Sequence, residues 1–356
     1  MHEMNSLQTK PVYLIAASVF NHAGTECADL HGPVRAAQPL DFAPDHLAYP
    51  VTVPRLPTTV FDRKIQRSVE PQGARLLYCA GQLAGPLNDL HLPGERVALM
   101  AAIPEVDGPS SCWEAVQAIA EQPDALLAQL FAYTPPLHAL MMLNSSVMAY
   151  VAEALHCRGP MGGFCSQGNA GVDALIEAFE HIAGGRADAG VVVSSSPNLS
   201  PALYLRDSTE QPALPEPDRY GEGAACLLLT SCTPTHGALR IAGFARGYSA
   251  CPERSNAVAH KVIQQALSRE KVGLRDVAHV VAAPDTPFLP LLLADTQATL
   301  HSSRPMTGDL GASALLTEIA LTLHDQRDGY TLLLNHSRAG HWGAVLLAKE
   351  AMEKQA

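Results

Sequence analysis

The chain has 356 residues, more than one hydrophobic core normally organises, so two domains or one duplicated domain are expected. Hydrophobic residues make up 47% and charged residues only 17%, which predicts that most of the chain is packed. The net charge of −11, with no basic run and no interleaving of aromatic and basic residues, argues against nucleic acid or an anionic membrane as partner.

In chain order, strand-like and helical segments alternate as in a layered α/β protein. Pro11 to Phe20 reads as a strand, and the Pro-rich region from Gln38 to Pro57 as an extended loop. A helix is predicted from about Arg63 to Leu83, a strand over Glu95 to Pro104 and a helix over Ser111 to Gln122. Val172, Leu175, Ile176, Phe179 and Ile182 then recur at helical spacing, and Gly184-Gly185 supply a stop. The β-branched run Asp188 to Ser196 follows as a buried strand, and Gly221 to Ser231 as another. A second series opens with the strand Gly237 to Tyr248. It continues through the helix Asn256 to Ser268, the strand Val277 to Ala283, the helix Gly311 to His324 and the strands YTLLLNHS and GAVLLAKE. These series divide the chain into an N-terminal half, residues 11–235, and a C-terminal half, residues 236–350, although no sequence repeat is obvious.

No apolar run reaches the roughly 18 residues of a membrane span. The opening MHEMNSLQTKPVYLIAASVF has no long apolar core after a basic region, so a soluble, cytosolic (cytoplasmic) protein is expected. The eight cysteines contain no CxxC pair and fall largely in apolar stretches, reading as reduced, mostly buried thiols. The fifteen histidines show no HExxH spacing, and His336 and His341 fit one helical face poorly. Neither a metal site nor a cofactor is expected.

The segment with the most chemical content is GPMGGFCSQGNAGVDALIEAFEHIAGG, Gly159 to Gly185. It reads as strand, tight turn, helix and strand. A turn entering a helix presents unpaired N–H groups and a positive dipole end, a setting suited to a thiolate or a developing oxyanion. An ordinary βαβ crossover, with Gly168 merely permitting close backbone approach, has the same outline. This stretch resembles the active-site elbow of the β-ketoacyl synthases of the thiolase superfamily. In that family a cysteine nucleophile stands eight residues after the proline, and here that residue is Gly168. Counting back from Gly171 reaches the same position.

The resemblance extends along the chain. ERVALMAAI is similar to the family's early strand, MLNSSVMAYVAEALHCRGP to the helix before the elbow, and YGEGAACLLL to its glycine-glutamate-glycine strand. Gln264 to Ala283 resembles the helix and strand leading to the first catalytic histidine, where this chain has Pro284, followed by Asp285 and Thr286. In the motif of the second histidine, Arg304 stands for the lysine, Gly308 is kept and Asp309 replaces the histidine. Proline cannot shuttle a proton, and a carboxylate would oppose the build-up of oxyanion charge. Between these positions the one histidine is His301. Near the end, NHSRAGHWGAV replaces a glycine-rich loop, with Ala339 where a gating phenylalanine would be.

The resemblance implies a duplicated thiolase-like α/β fold, βαβαβ halves in αβαβα layers. It also implies a chain length factor, the inactive ketosynthase-like subunit of type II polyketide and aryl polyene synthases. Its partners would be an active ketosynthase, in a heterodimer, and the acyl carrier protein that serves that ketosynthase. In known chain length factors a glutamine replaces the nucleophile, and Gln167 stands one place before Gly168. The edge strand Met161 to Cys165, which includes Phe164, would join the two sheets, an aggregation hazard unless paired. Tunnel-closing side chains are expected near Trp113, Val116 and Ala120, which share a helical face, with His138 and Met141 as second candidates. Simple packing explains each of these equally. Three other readings stay open: Cys165 as a nucleophile buried inside its strand, a serine hydrolase using Ser194, Ser195 or Ser196 without a GxSxG elbow, and a free-standing acyl or carrier-protein binding module.

Overall fold

A computed structural model describes residues 10–104, 113–134, 144–201, 203–204, 219–234, 237–287, 289–294, 296–337 and 339–349. Its strands are β1 (Tyr13–Asn21), β2 (Gln38–Leu40), β3 (Ala43–Ala48), β4 (Val97–Ala102), β5 (Met161–Phe164) and β6 (Ala189–Ser195). Then come β7 (Gly223–Thr230), β8 (Leu239–Tyr248), β9 (Val277–Val281), β10 (Thr299–His301), β11 (Tyr330–His336) and β12 (His341–Ala348). The longer helices are α1 (Pro71–Gln82), α2 (Trp113–Glu121), α3 (Leu126–Tyr133), α4 (Asn144–Ala154), α5 (Ala170–Ala183), α6 (Pro252–Ser268) and α7 (Ala314–Asp325).

Ten strands form one sheet in the order β10-β9-β11-β12-β8-β1-β7-β6-β4-β5. Reading outward from the central β1–β8 contact, the two sides repeat each other. β4 lies parallel to β5 and β6, β6 is antiparallel to β7, and β7 to β1. On the other side β9 lies parallel to β10 and β11, β11 is antiparallel to β12, and β12 to β8. Helix α1 matches α6, and α5 matches α7, in chain position. This is a duplicated topology without an evident sequence repeat, because what each half must preserve is a burial pattern.

The layers follow from which face each side chain takes. Ala98, Met100 and Ala102 of β4 point into a core with α5 and α7, while Val97, Leu99 and Ala101 point into a separate core with α1 and α4. On the C-terminal side, Leu333, Val345 and Leu347 join the α5–α7 core, whereas Leu332, Leu334 and Leu346 pack on α6. Helices α5 and α7 are thus sandwiched between the two half-sheets, with α1, α4 and α6 outside. Strands covered on both faces read as continuous apolar runs, which is why β4, β6 and β7 were legible. The central helices need small residues where they meet the opposite half: a Cβ on Gly171 would lie 2.7 Å from the Ala312 carbonyl oxygen and from Leu316 Cδ1.

Four expectations are corrected. The helix predicted from Arg63 starts at Pro71, whose ring suits the first helical position, and Ile65–Arg67 is a separate 3-10 turn. The Pro-rich loop contains the β2–β3 ribbon, whose exposed residues show no alternation. Cys165 is exposed, one residue beyond the end of the four-residue β5. Of the described cysteines, Cys79, Cys157 and Cys226 are buried, Cys27 is half-buried, and Cys232 and Cys251 are exposed along with Cys165. Among the described residues no helix is long and apolar enough to cross a membrane.

Candidate functional site

The carboxyl ends of the parallel strands in the two halves face each other across a cavity of about 280 Å³. The turn between β5 and α5 supplies Gln167 and Gly168, the segment after β9 supplies Asp285, the turn after β10 supplies Arg304 and Asp309, and the end of β11 supplies His336. Gly168 from the elbow, and Arg304 and Asp309 from the motif of the second histidine, therefore meet in one place. Ala339 also lines it. Pro284 sits exposed at the turn after β9, and its neighbour Asp285 is the residue that reaches the cavity.

The β5–α5 turn is anchored from the other half. Asn335 Nδ2 donates to the Gly168 carbonyl at 2.9 Å and to Asn169 Oδ1 at 3.2 Å. Ser166 Oγ donates to Asp173 in the first turn of α5, and Arg246 pairs with the same carboxylate at 2.7 Å. Gln167 has φ +49°, a left-handed conformation that costs a non-glycine residue about 1 kcal/mol or more. Gly168 has no such conformation, but Ser337 Cβ would lie 3.3 Å from a Cβ placed there.

The charges are matched internally. Arg304 reaches Asp285 at 3.2 Å and Asp309 at 3.3 Å, so its cation is shared between two carboxylates. Asp309 Oδ1 accepts the Gly311 N–H at 2.9 Å and thereby shapes the turn into α7. At Gly308, φ +70° and the Arg219 carbonyl oxygen 2.6 Å from a would-be Cβ both demand glycine. The carboxylate at Asp309, expected to repel an oxyanion, is thus largely committed to Arg304 and the turn.

Two groups in the cavity escaped sequence reading. Glu318 on α7 accepts from the Ser303 N–H and hydroxyl at 2.7 and 2.8 Å through Oε1, while its Oε2 is buried without a hydrogen-bond partner among the described residues. Burial pushes the Glu318 carboxyl up, against those two donors. A lone acid inside ALLTEIALTL was the available signal. His336 stacks on Trp342 with ring centroids 4.2 Å apart, and burial together with the Arg304 cation pulls its pKa down from 6.5 to about 4. His301 faces His279 instead, ring nitrogens 3.1 Å apart, outside the cavity lining.

Because His336 is held neutral, the unfolded chain takes up a proton that the folded ring refuses as pH falls from 6.5 towards 4. Its contribution is fully present above pH 6.5 and is lost in that window, on the order of 3 kcal/mol. Urea unfolding across this range should show the decline, and His336→Gln should flatten the slope; an unchanged slope would remove His336 as its source. His301, also lowered to about 4 by burial, adds in the same direction and leaves a residual slope in that variant.

Among the described residues no cysteine lines the cavity. Cys165 lies outside the lining, and Ser194, Ser195 and Ser196 are buried at the end of β6, with Ser194 Oγ donating to the Ala225 carbonyl at 2.8 Å. Val116 and Ala120 are exposed on α2, and Met161 is exposed on β5. Phe164 is half-buried against the central core. The side chain of Trp113, and His138 and Met141 entirely, lie outside the described residues.

No family model and no curated protein matches the sequence. Solved structures match the fold. The ishigamide ketosynthase/chain length factor superposes with TM-score 0.77 at 16% identity, over 96% of this chain and 100% of that one. The ketosynthase ApeO in complex with its chain length factor ApeC, from Xenorhabdus doucetiae, gives TM-score 0.70 at 14% identity, over 98% and 100%. The AntDE:AntF complex, a type II polyketide synthase acyl carrier protein with its ketosynthase bound to the hexaketide, gives 0.74 at 13%, over 96% and 100%. The chain has the duplicated thiolase-like fold of these ketosynthases.

Proposed function

We propose that this chain is a ketosynthase-like subunit of a type II polyketide or polyene synthase, a chain length factor that pairs with an active ketosynthase and helps shape its acyl tunnel. The observation that carries the reading is the cavity at the elbow. It keeps the family's position between the two halves, yet among the described residues its lining offers no thiol, and the cation of Arg304 is bound by two carboxylates. Claisen condensation needs a thiolate to hold the acyl chain and imidazoles to promote decarboxylation and stabilise the enolate. His336 alone cannot supply these roles.

The strained φ of Gln167 favours it over Gly168 as the residue at the vertex of the turn, the position a glutamine fills in chain length factors. The partner ketosynthase would supply the cysteine and histidines, and the acyl carrier protein would deliver acyl and malonyl groups to it. Helices α2 and α3 carry exposed apolar side chains, Val116, Leu126, Leu127 and Phe131, suited to burial against such a partner.

The isolated chain should show neither malonyl decarboxylation nor an acyl-enzyme, and co-expression with its cognate ketosynthase should restore condensation. The exposure of Cys165 supports a second reading, an acyltransferase using that thiol. Mass spectrometry after incubation with an acyl thioester or a cerulenin-like reagent separates the two, since acylated Cys165 in the isolated chain overturns the first. A free-standing acyl or carrier-protein binding module would co-purify with no ketosynthase.

A further inference from the structure

His31 ends the 3-10 turn Cys27–His31, and His324 and Asp325 are the last two residues of α7. Sequence spacing hides the cluster because its members come from opposite halves of the chain. One ligand atom from each of the three lies within 4.8 Å of the others, and His31 Nε2 is 2.6 Å from Asp325 Oδ1. The remaining carboxylate oxygen, Oδ2, accepts from Arg327 Nε at 3.1 Å and Nη2 at 2.7 Å. That bond fixes the carboxylate with Oδ1 turned towards the imidazoles, the way metal-bound carboxylates are commonly oriented by an outer partner.

Two further features favour a cation. The carbonyl end of the twelve-residue α7 contributes a negative dipole end. Asp29 on the Cys27–His31 turn and Glu26 just before it add negative charge beside the cluster.

We propose that His31, His324 and Asp325 form a surface site for one divalent transition metal of the zinc class. Two imidazoles and one carboxylate match the ligand preferences of zinc, with water completing the shell at this exposed position. Metal binding replaces the His31–Asp325 contact and clamps the Cys27–His31 turn to the end of α7. Leu30 of that turn packs with Leu321 of α7 and with Met306, two residues from Arg304, so the clamp braces one wall of the cavity.

The test is calorimetric titration of the metal-stripped full chain with Zn²⁺ near neutral pH, with thermal melting in parallel. One saturable equivalent and a raised melting temperature are expected. His31→Ala and His324→Ala should each weaken binding by at least ~10-fold, and His279→Ala, outside the cluster, should bind as the unaltered chain does. Metal-free melting of each variant shows whether it is folded, and the half-exposed His31 keeps the test valid if the His324 variant is not. Co²⁺ substitution should give d–d bands without thiolate charge transfer. A thiolate band, no saturable binding, or affinity unchanged in both histidine variants overturns the site and leaves an ordinary His–Asp ion pair.

Discussion

Arg75→Ala should destabilise the chain by about 3–5 kcal/mol, the usual cost of removing one partner from a buried ion pair. Arg75, on α1, is 0% exposed. Its Nη1 lies 3.2 Å from Glu222 Oε1, and its Nη2 donates to Asn198 Oδ1 at 3.0 Å and, more weakly, to the carbonyls of Ser196 and Pro197. Glu222 also accepts the N–H groups of Val51 at 3.1 Å and Leu199 at 3.0 Å. One guanidinium therefore joins the outer helix α1, the segment after β6 and the start of β7. Burial pulls the Arg75 pKa down and Glu222 opposes it, so the guanidinium charge relies on that carboxylate. Arg75→Met fills the space but should cost nearly as much, because Glu222 stays buried without its cation. Arg75→Met with Glu222→Gln should recover much of the loss, giving a positive coupling energy in a double-mutant cycle. Urea unfolding measures all three. A loss below about 1 kcal/mol for Arg75→Ala would show that relaxation or water replaces the pair.

Part of the fold and of the site is legible in the sequence and part is not. Strands covered on both faces announce themselves, and so does the 3.6-residue spacing of α5. Gly168, Arg304 and Asp309 could be picked out because each lies in a stretch resembling a motif. Their convergence could not be read from spacing, since it depends on the two halves closing face to face through α5 and α7. Glu318 and His336 reach the cavity from elements whose other residues are core, so composition masked them. Cys165 was misplaced because a four-residue edge strand ends sooner than its apolar neighbours suggest. The start of α1 was misplaced because half-buried Ile65 in the 3-10 turn and buried Val69 just after it pack on the same core as α1, and burial alone does not distinguish a turn from a helix.

Met161→Lys should leave the isolated chain folded and weaken its pairing with a ketosynthase by roughly 30-fold, equivalent to about 2 kcal/mol. Among the described residues β5 pairs only with β4 and closes one end of the ten-stranded sheet. Met161 is 53% exposed there, and Gly162 and Gly163 put no side chain in the way of an incoming strand. Nothing within β5 guards the edge: it has no charge, no proline and no bulge in its pairing with β4. A lysine restores the usual guard and would have to bury its ammonium if a partner strand still docked. The opposite end of the sheet, β10, is its counterpart in the duplicated topology and exposes Leu300 at 39%. Leu300→Lys therefore serves as the control: it places the same charge on the same kind of edge, at the end not assigned to the partner. Co-purification and size-exclusion chromatography of each variant with the ketosynthase separate the cases. Loss of the complex with Met161→Lys alone supports pairing through β5, and loss with Leu300→Lys alone assigns the interface to β10. Retention in both variants means that the subunits meet through the apolar faces of α2 and α3 and not edge to edge.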